Sequence, residues 1–296
     1  MYVLYLSGLI SAGVSVYLME RTAMQGGYSS PWAVKKVAKR FCDKENQNFS
    51  KRLLKEADIL RELQHPNIIG FRTITKAVDG TWCLAMEKAE HSLMDLIEER
   101  LDNSQGPFLP QEIQCVGSDI AKALDYLHID KLLMHGDIKS ANILIFGKFD
   151  LAKLCDFGVA LKLRDTDGEA LPNSYYVGTE AWTAPEIIGV DVVEEEAVVT
   201  SKADIFSYGL TIWEMMSLSL PHSDLLDMSE LSDLSSSFNE TSDEEIYREA
   251  LGSRPPLPVL PSEPDYSIAI TVFIAATEKD PSNRPQAAEL VSMWMK

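Results

Sequence analysis

The chain has 296 residues, 46% of them hydrophobic, enough to bury a substantial core as one large domain or two smaller ones. With 27 Lys and Arg against 45 Asp and Glu the formal net charge is -18, which argues against nucleic acid or an anionic membrane as the main partner and fits basic protein partners. Cys42, Cys83, Cys115 and Cys155 are widely spaced with no C-x-x-C pair, so neither a zinc site nor a disulfide framework is indicated, and a reducing, intracellular setting is the default.

Residues Met1 to Met19 are uncharged and rich in apolar side chains, the composition of a signal peptide or anchor. The run lacks a basic start, Gly8, Ser11, Gly13 and Ser15 interrupt it, and Val14 to Met19 reads as a strand. A Gly/Ser turn region, Gly26 to Pro31, separates it from a second strand, Trp32 to Val37. Leu53, Leu54, Ala57, Leu60 and Leu63 recur at helical spacing and predict a helix over 49–63. Trp82 to Glu87 is an apolar strand, and Ser92 caps a helix through Arg100. Ile113, Val116, Ile120, Ala121, Leu124 and Leu127 predict a buried helix over 113–128. The short runs Ile143 to Phe146 and Leu151 to Cys155 flank Gly147 to Asp150 as a hairpin, and a flexible polar stretch is expected past Gly158. Ser223 to Glu245 carries eight acidic residues and no Lys or Arg, the composition of a mobile insertion that could also dock a basic partner. Arg254 to Pro261 has PxxP spacing; a rigid connector is the ordinary reading and an SH3-type ligand the sharper one.

Chemistry concentrates between His135 and Gly158. His135-Gly136-Asp137-x-Lys139-x-x-Asn142 and Asp156-Phe157-Gly158 resemble the catalytic loop H-R-D-x-x-x-x-N and the D-F-G of eukaryotic protein kinases. Each piece alone is weak: Lys35 could be a surface lysine on an edge strand, Glu56 a solvated helix charge. The set arrives in order, however, with Trp32-Ala33-Val34-Lys35 resembling V-A-I-K, His65-Pro66-Asn67-Ile68 after the helix, and Ala184-Pro185-Glu186 resembling A-P-E. Asp204-Ile205-Phe206-Ser207-Tyr208-Gly209 and Asp280-Pro281-x-x-Arg284-Pro285 resemble later motifs of the same family, so the likeness runs from about Gly13 to Val291.

The resemblance implies an α+β, two-lobed kinase fold, with a small antiparallel β lobe at 1–87 and a larger, mainly helical lobe at 88–296. It also implies ATP and Mg2+ as cofactors. Phosphoryl transfer is mostly positioning and charge neutralisation, and Mg2+ takes oxygen ligands. By the same resemblance Asn142 and Asp156 bind the metal, Asp137 orients the substrate hydroxyl and accepts its proton, and Lys139 reaches the transferring phosphate. Lys35 pairs with the α and β phosphates and with Glu56. Gly13, Val16, Ala33, Met86 as gatekeeper, backbone groups of Glu87 and Ala89, and Leu144 line the nucleotide. Asp204 anchors the catalytic loop and Arg284 pairs Glu186. Lys139 with Thr179 resembles serine/threonine rather than tyrosine kinases, and stretches such as 30–36, 135–140, 178–182 and 202–206 resemble a mitotic, dual-specificity group of MAP-kinase-kinase-like character that acts in cytoplasm and nucleus.

Three departures qualify this. The phosphate-covering loop G-x-G-x-x-G-x-V would end at Val16, placing Leu9, Ser11 and Val14 where the family has glycine, and weaker ATP binding is expected. The alternative to an active enzyme is therefore a catalytically impaired pseudokinase or regulatory isoform acting as a protein-binding module. Gly136 stands where the family has the arginine that binds a phosphorylated activation loop, so activity is expected to depend little on that switch, although Thr166, Ser174, Tyr175 and Tyr176 are candidate phosphosites. The chain ends Met293-Trp294-Met295-Lys296, and PDZ binding, known in that group, is not expected.

Overall fold

The computed structural model describes residues 2–11, 14–21, 32–37, 43–172, 174–188, 198–225 and 242–295. The first part of the chain builds one antiparallel sheet of order β1-β2-β3-β5-β4 from β1 (Tyr2–Ser11), β2 (Val14–Arg21), β3 (Trp32–Val37), β4 (Phe71–Lys76) and β5 (Trp82–Glu87). β1 is a strand that alternation did not single out, since its apolar run is continuous; it pairs with β2, with register shifts on either side of Gly8. β3 lies at the centre, with Val16 opposite Lys35 on one side and Leu84 opposite Lys35 on the other.

Helix α1 (Asp43–Glu62) packs on this sheet through Leu53, Ala57 and Leu60, all buried at helical spacing. It begins six residues before the apolar pattern does, because Asp43 to Asn48 is polar and offers no stripe to read. Leu63 falls just past its end, its N–H still bonded to the Leu60 carbonyl.

The second part is mainly helical. β6 (His91–Ser92) leads into α2 (Leu93–Asp102), whose N-cap Ser92 accepts from the Asp95 N–H while the Asp95 carboxylate accepts from the Ser92 N–H. Helix α3 (Pro110–Asp125) starts with proline at its first turn and continues as a π-turn over Tyr126–Asp130, so the helix predicted to His128 changes pitch there. β7 (Leu133–Met134), β8 (Ile143–Phe146) and β9 (Leu151–Leu154) follow, with β6, β8 and β9 in one small sheet. β10 (Leu161–Lys162) pairs with β7.

Helix α4 (Lys202–Ser217) is buried from Ala203 through Met216 and forms the axis of this lobe. Around it lie α5 (Ser242–Ala250), α6 (Ser267–Ala276) and α7 (Ala287–Trp294). Gly117 of α3 is required by close approach: a Cβ there would sit 2.3 Å from the Trp294 ring. The Trp294 indole N–H donates to the Tyr208 hydroxyl at 2.6 Å, and that hydroxyl donates to the Gly117 carbonyl at 2.9 Å.

These elements bear on two expectations. The acidic segment expected to stay unordered to Glu245 enters α5 at Ser242; residues 226–241 lie outside the described residues. The PxxP stretch is a connector: Pro255 is buried, Pro258 half-buried, and the Pro256 carbonyl accepts from the Trp213 indole at 2.8 Å. Arg254 is occupied by Thr277, Glu278 and the Ile274 carbonyl.

Candidate active site

Three ionised side chains from separate elements meet below the sheet. Lys35 Nζ, on β3, is 2.8 Å from Glu56 Oε2 on α1 and 2.8 Å from Asp156 Oδ1 after β9. Burial would lower the pKa of the ammonium, but Asp156 and Glu56 outweigh it and raise it above the lysine range. Glu56 is almost fully buried; desolvation raises its pKa, with Lys35 opposing. Its Oε1 has no hydrogen-bond partner among the described residues. Asp156 is about one-third exposed, with a side-chain accessibility of 35%, and Lys35 overcomes the effect of burial to hold its pKa below the usual carboxylate value. Its φ of +66° is a strained conformation for a non-glycine residue, of the kind that concentrates at functional sites.

The catalytic-loop backbone hangs from Asp204 on α4. Asp204 Oδ2 accepts from the His135 N–H and Oδ1 from the Gly136 N–H, both at 2.8 Å, and His128 Nε2 lies 2.9 Å from Oδ2. His135 Nδ1 accepts from the Asp137 N–H, so its Nε2 carries the proton and donates to the Cys155 carbonyl at 3.0 Å. Gly136 has φ +79°, which glycine adopts without strain. Glu214, also on α4, accepts from Ser140 Oγ at 2.6 Å and from the Trp182 indole at 2.8 Å. Burial pushes its pKa up to about 7.

Within this frame the Asp137 carboxylate is held on both oxygens. Oδ1 accepts from the Thr179 hydroxyl at 2.6 Å and its N–H at 3.0 Å; Oδ2 accepts from Asn142 Nδ2 at 3.0 Å and faces Lys139 Nζ at 2.9 Å. Lys139 also donates to Thr179 Oγ1 at 2.5 Å. Asn142 Nδ2 donates to the Asp137 carbonyl at 2.7 Å as well, which commits the amide nitrogen and turns its oxygen away from the loop. Asn142 Oδ1 and Asp156 Oδ2 thus have no donor among the described residues, and two such oxygens suit a hard divalent cation that takes its remaining ligands from phosphate and water. Among the described residues no group of three or more His, Cys, Asp or Glu could hold a metal by itself.

Of the expected nucleotide residues, Met86 is buried on β5, opposite Ala33 across the β3–β5 pair. Leu144 on β8 is half-buried and packs on the same core. The Glu87 N–H donates to the Gly70 carbonyl at 2.9 Å. The Glu87 side chain pairs with Lys153 at 2.7 Å. Val16 is described only as backbone opposite Lys35, and Gly13 lies outside the described residues. The Arg284–Glu186 pair forms as expected, with both guanidinium nitrogens 2.7 Å from carboxylate oxygens.

The stretch past Gly158 is not the flexible segment expected. Leu161 and Leu163 are buried, Leu163 bridges to Ala170 across a hairpin closed by an Arg164–Glu169 ion pair, and that hairpin docks on 199–201. The Ala170 N–H donates to the Val199 carbonyl and the Ser201 N–H to the Gly168 carbonyl, both at 2.8 Å. Sequence reasoning missed the contacts of three groups here. Lys55 carries no signal beyond a helix charge, and Tyr176 was legible only as a candidate phosphosite. Glu214 was legible only as part of a helix.

Comparison with known proteins agrees with this geometry. The protein kinase domain model matches residues 18–295. Human lymphokine-activated killer T-cell-originated protein kinase is 46% identical over 281 residues, 94% of this chain and 85% of that protein. The mitogen-activated protein kinase kinase kinase zak-1 of Caenorhabditis elegans is 35% identical over 179 residues, 58% of this chain but 23% of that protein. Mitogen-activated protein kinase kinase kinase 12 of Rattus norvegicus is 34% identical over 175 residues, 58% of this chain and 18% of that protein. With a family match over nearly its whole length and the family's motif residues gathered in one cleft, the chain belongs to the protein kinases.

Proposed function

We propose that the chain is an active protein kinase transferring the γ-phosphoryl group of Mg-ATP to serine or threonine hydroxyls of proteins, with MAP-kinase-kinase-like character and a mitotic role. The observation that carries the reading is the Glu56–Lys35–Asp156 cluster at 2.8 Å on each side, above an Asp137 held by Thr179, Asn142 and Lys139. Lys35 would exchange its Asp156 contact for phosphate oxygens while Glu56 keeps its position. Asp156 and Asn142 would hold Mg2+, which neutralises charge on the phosphates. Asp137 would turn its Oδ1 from the Thr179 hydroxyl to that of the substrate and take its proton, and Lys139 would supply positive charge to the transferring phosphate. The lobes would divide at the 87/88 hinge, with the nucleotide between them.

A second reading is favoured by Leu9, Ser11 and Val14 at the expected loop glycines: a chain that binds partners and transfers little phosphate. One experiment separates the two. Transfer from Mg-ATP to basic Ser/Thr and Tyr peptides is compared for wild type, Asp137→Ala, and a variant with glycine at 9, 11 and 14. Transfer to Ser/Thr that vanishes in Asp137→Ala supports the enzyme; transfer appearing only after the glycines are restored supports the binding module. Transfer to Tyr alone overturns the Ser/Thr assignment.

A further inference from the structure

The activation segment here is fastened near both ends by side chains that hold its main chain, in a chain whose catalytic loop has glycine, not a cation, at position 136. At its start, Lys55 lies beside Glu56 on α1 but points elsewhere: its Nζ donates to the Ala160 carbonyl at 2.7 Å. Ala160 is buried, and its own N–H bonds back to Phe157, so the carbonyl belongs to a tight turn leaving Asp156-Phe157-Gly158. No carboxylate pairs with Lys55 among the described residues. Desolvation, with Arg52 nearby, lowers its pKa. Two consecutive side chains of α1 thus hold two sides of the cleft, Glu56 the strand bearing Lys35 and Lys55 the segment behind Asp156.

At the far end Tyr176 folds back beneath the loop that carries Thr179. A Cβ placed on Gly178 would lie 2.5 Å from the Tyr176 ring and hydroxyl, so the phenol rests directly on that backbone. The ring packs against the main core. Its phenol end lies against Ser207 of α4, with Asp204, Asp137 and Glu186 nearby, and burial raises its pKa. Tyr175, the preceding residue, is 63% exposed, so only one of the two adjacent tyrosines is used as a plug.

We propose that Lys55 and Tyr176 are positioning residues that hold the activation segment in its catalytic arrangement without a phosphate, Lys55 acting on the nucleotide side through α1 and Tyr176 on the substrate side through Thr179. The inference rests on the kinase reading and assigns its regulation. Each tether has a conservative substitute: arginine keeps the cation at 55, and phenylalanine keeps the ring at 176.

The test uses the full chain after phosphatase treatment, with kcat and KM for ATP and for a Ser/Thr peptide measured on wild type, Lys55→Met, Lys55→Arg, Tyr176→Ala and Tyr176→Phe. Wild type keeps its kcat within about twofold after dephosphorylation, Lys55→Met loses about tenfold in kcat/KM for ATP, and Tyr176→Ala loses about tenfold in kcat/KM for peptide at unchanged KM for ATP. The Arg and Phe variants stay near wild type. Loss of activity on dephosphorylation overturns the proposal. So do Met and Ala variants indistinguishable from wild type, or losses that fall equally on both substrates and follow melting temperature without rescue by Arg or Phe. If wild type itself transfers nothing, the kinase reading fails while the tether is still judged by amide exchange: protection of 157–163 must fall in Lys55→Met, and of 174–183 in Tyr176→Ala.

Discussion

Asp204→Asn tests how the catalytic loop is supported. In wild type two backbone N–H groups and the His128 ring converge on one carboxylate at 2.8, 2.8 and 2.9 Å, and Asp204 is 1% exposed. Asparagine fills the same volume with one acceptor oxygen, so its NH2 must face either the His135 or the Gly136 N–H. With the NH2 toward Gly136 one charge-assisted bond is lost, at about 1.5–3 kcal/mol. At about 2–4 °C per kcal/mol for a chain of this order, the melting temperature falls by roughly 3–12 °C. Phosphate transfer falls about tenfold or more, because Asp137 follows the loop. The effect has a defined pH signature. Burial would raise the Asp204 pKa, but the His128 hydrogen bond, both histidines and the Gly136 N–H hold it below the ordinary value. A depressed folded-state pKa gives stability that is present above the unfolded value, about 3.9, and is lost as pH falls through the folded one. Urea unfolding of wild type and variant should therefore differ fully at about pH 7 and converge below about pH 4. A variant melting within about 2 °C of wild type, or a difference independent of pH, would refute the reasoning.

Three further outcomes follow from single contacts. Arg284→Met removes a fully buried guanidinium that also bonds the Lys202, Glu278 and Lys279 carbonyls, and with Glu186 left unpaired the cost in urea unfolding is about 3–5 kcal/mol; Glu186→Gln in the same chain should recover part of it. Glu214 has its pKa pushed by burial up to about 7, so the folded chain binds the proton more tightly than the unfolded one and stability falls as pH rises from about 4.5 toward 7, by up to about 1.4 kcal/mol per pH unit. Glu214→Gln should flatten that slope, and an unchanged slope would reject the assignment. Gly117→Ala drives a methyl group into the Trp294 indole and should cost about 1–3 kcal/mol in thermal unfolding, which Trp294→Leu in the same chain should relieve.

Much of this was legible in the sequence because the relevant physics is local. Phosphoryl transfer demands fixed residue types at short spacings, and Asp137, Lys139 and Asn142 sit within one loop whose hairpin, β8 and β9, has its own turn signal. Helices with a buried stripe, such as α3, announced themselves by periodicity. What stayed hidden depends on partners far along the chain. Nothing near Lys55 points to a carbonyl 105 residues away, and the Asp137–Thr179 bonds span 42 residues. The hairpin over 161–171 was misread as flexible because its polarity resembles loop composition, whereas its backbone groups are satisfied by pairing with one another and with 199–201. Helix α1 extended beyond its apolar pattern for the complementary reason: Asp43 to Asn48 contains no apolar residue, so hydrophobic spacing is silent about it.

The docking of Glu169 and Ala170 on Val199 and Thr200 closes the intervening chain, which carries Thr179 and Ala184-Pro185-Glu186, into a ring of about 30 residues. Chain entropy for bringing those ends together is surrendered once, when the protein folds. A peptide arriving beside Thr179 then meets a rim whose ends are already joined, and its binding carries a smaller ordering penalty than an open segment would impose. Calorimetry would register this as a peptide-binding entropy that becomes more unfavourable when the Arg164–Glu169 clasp at the hairpin is removed.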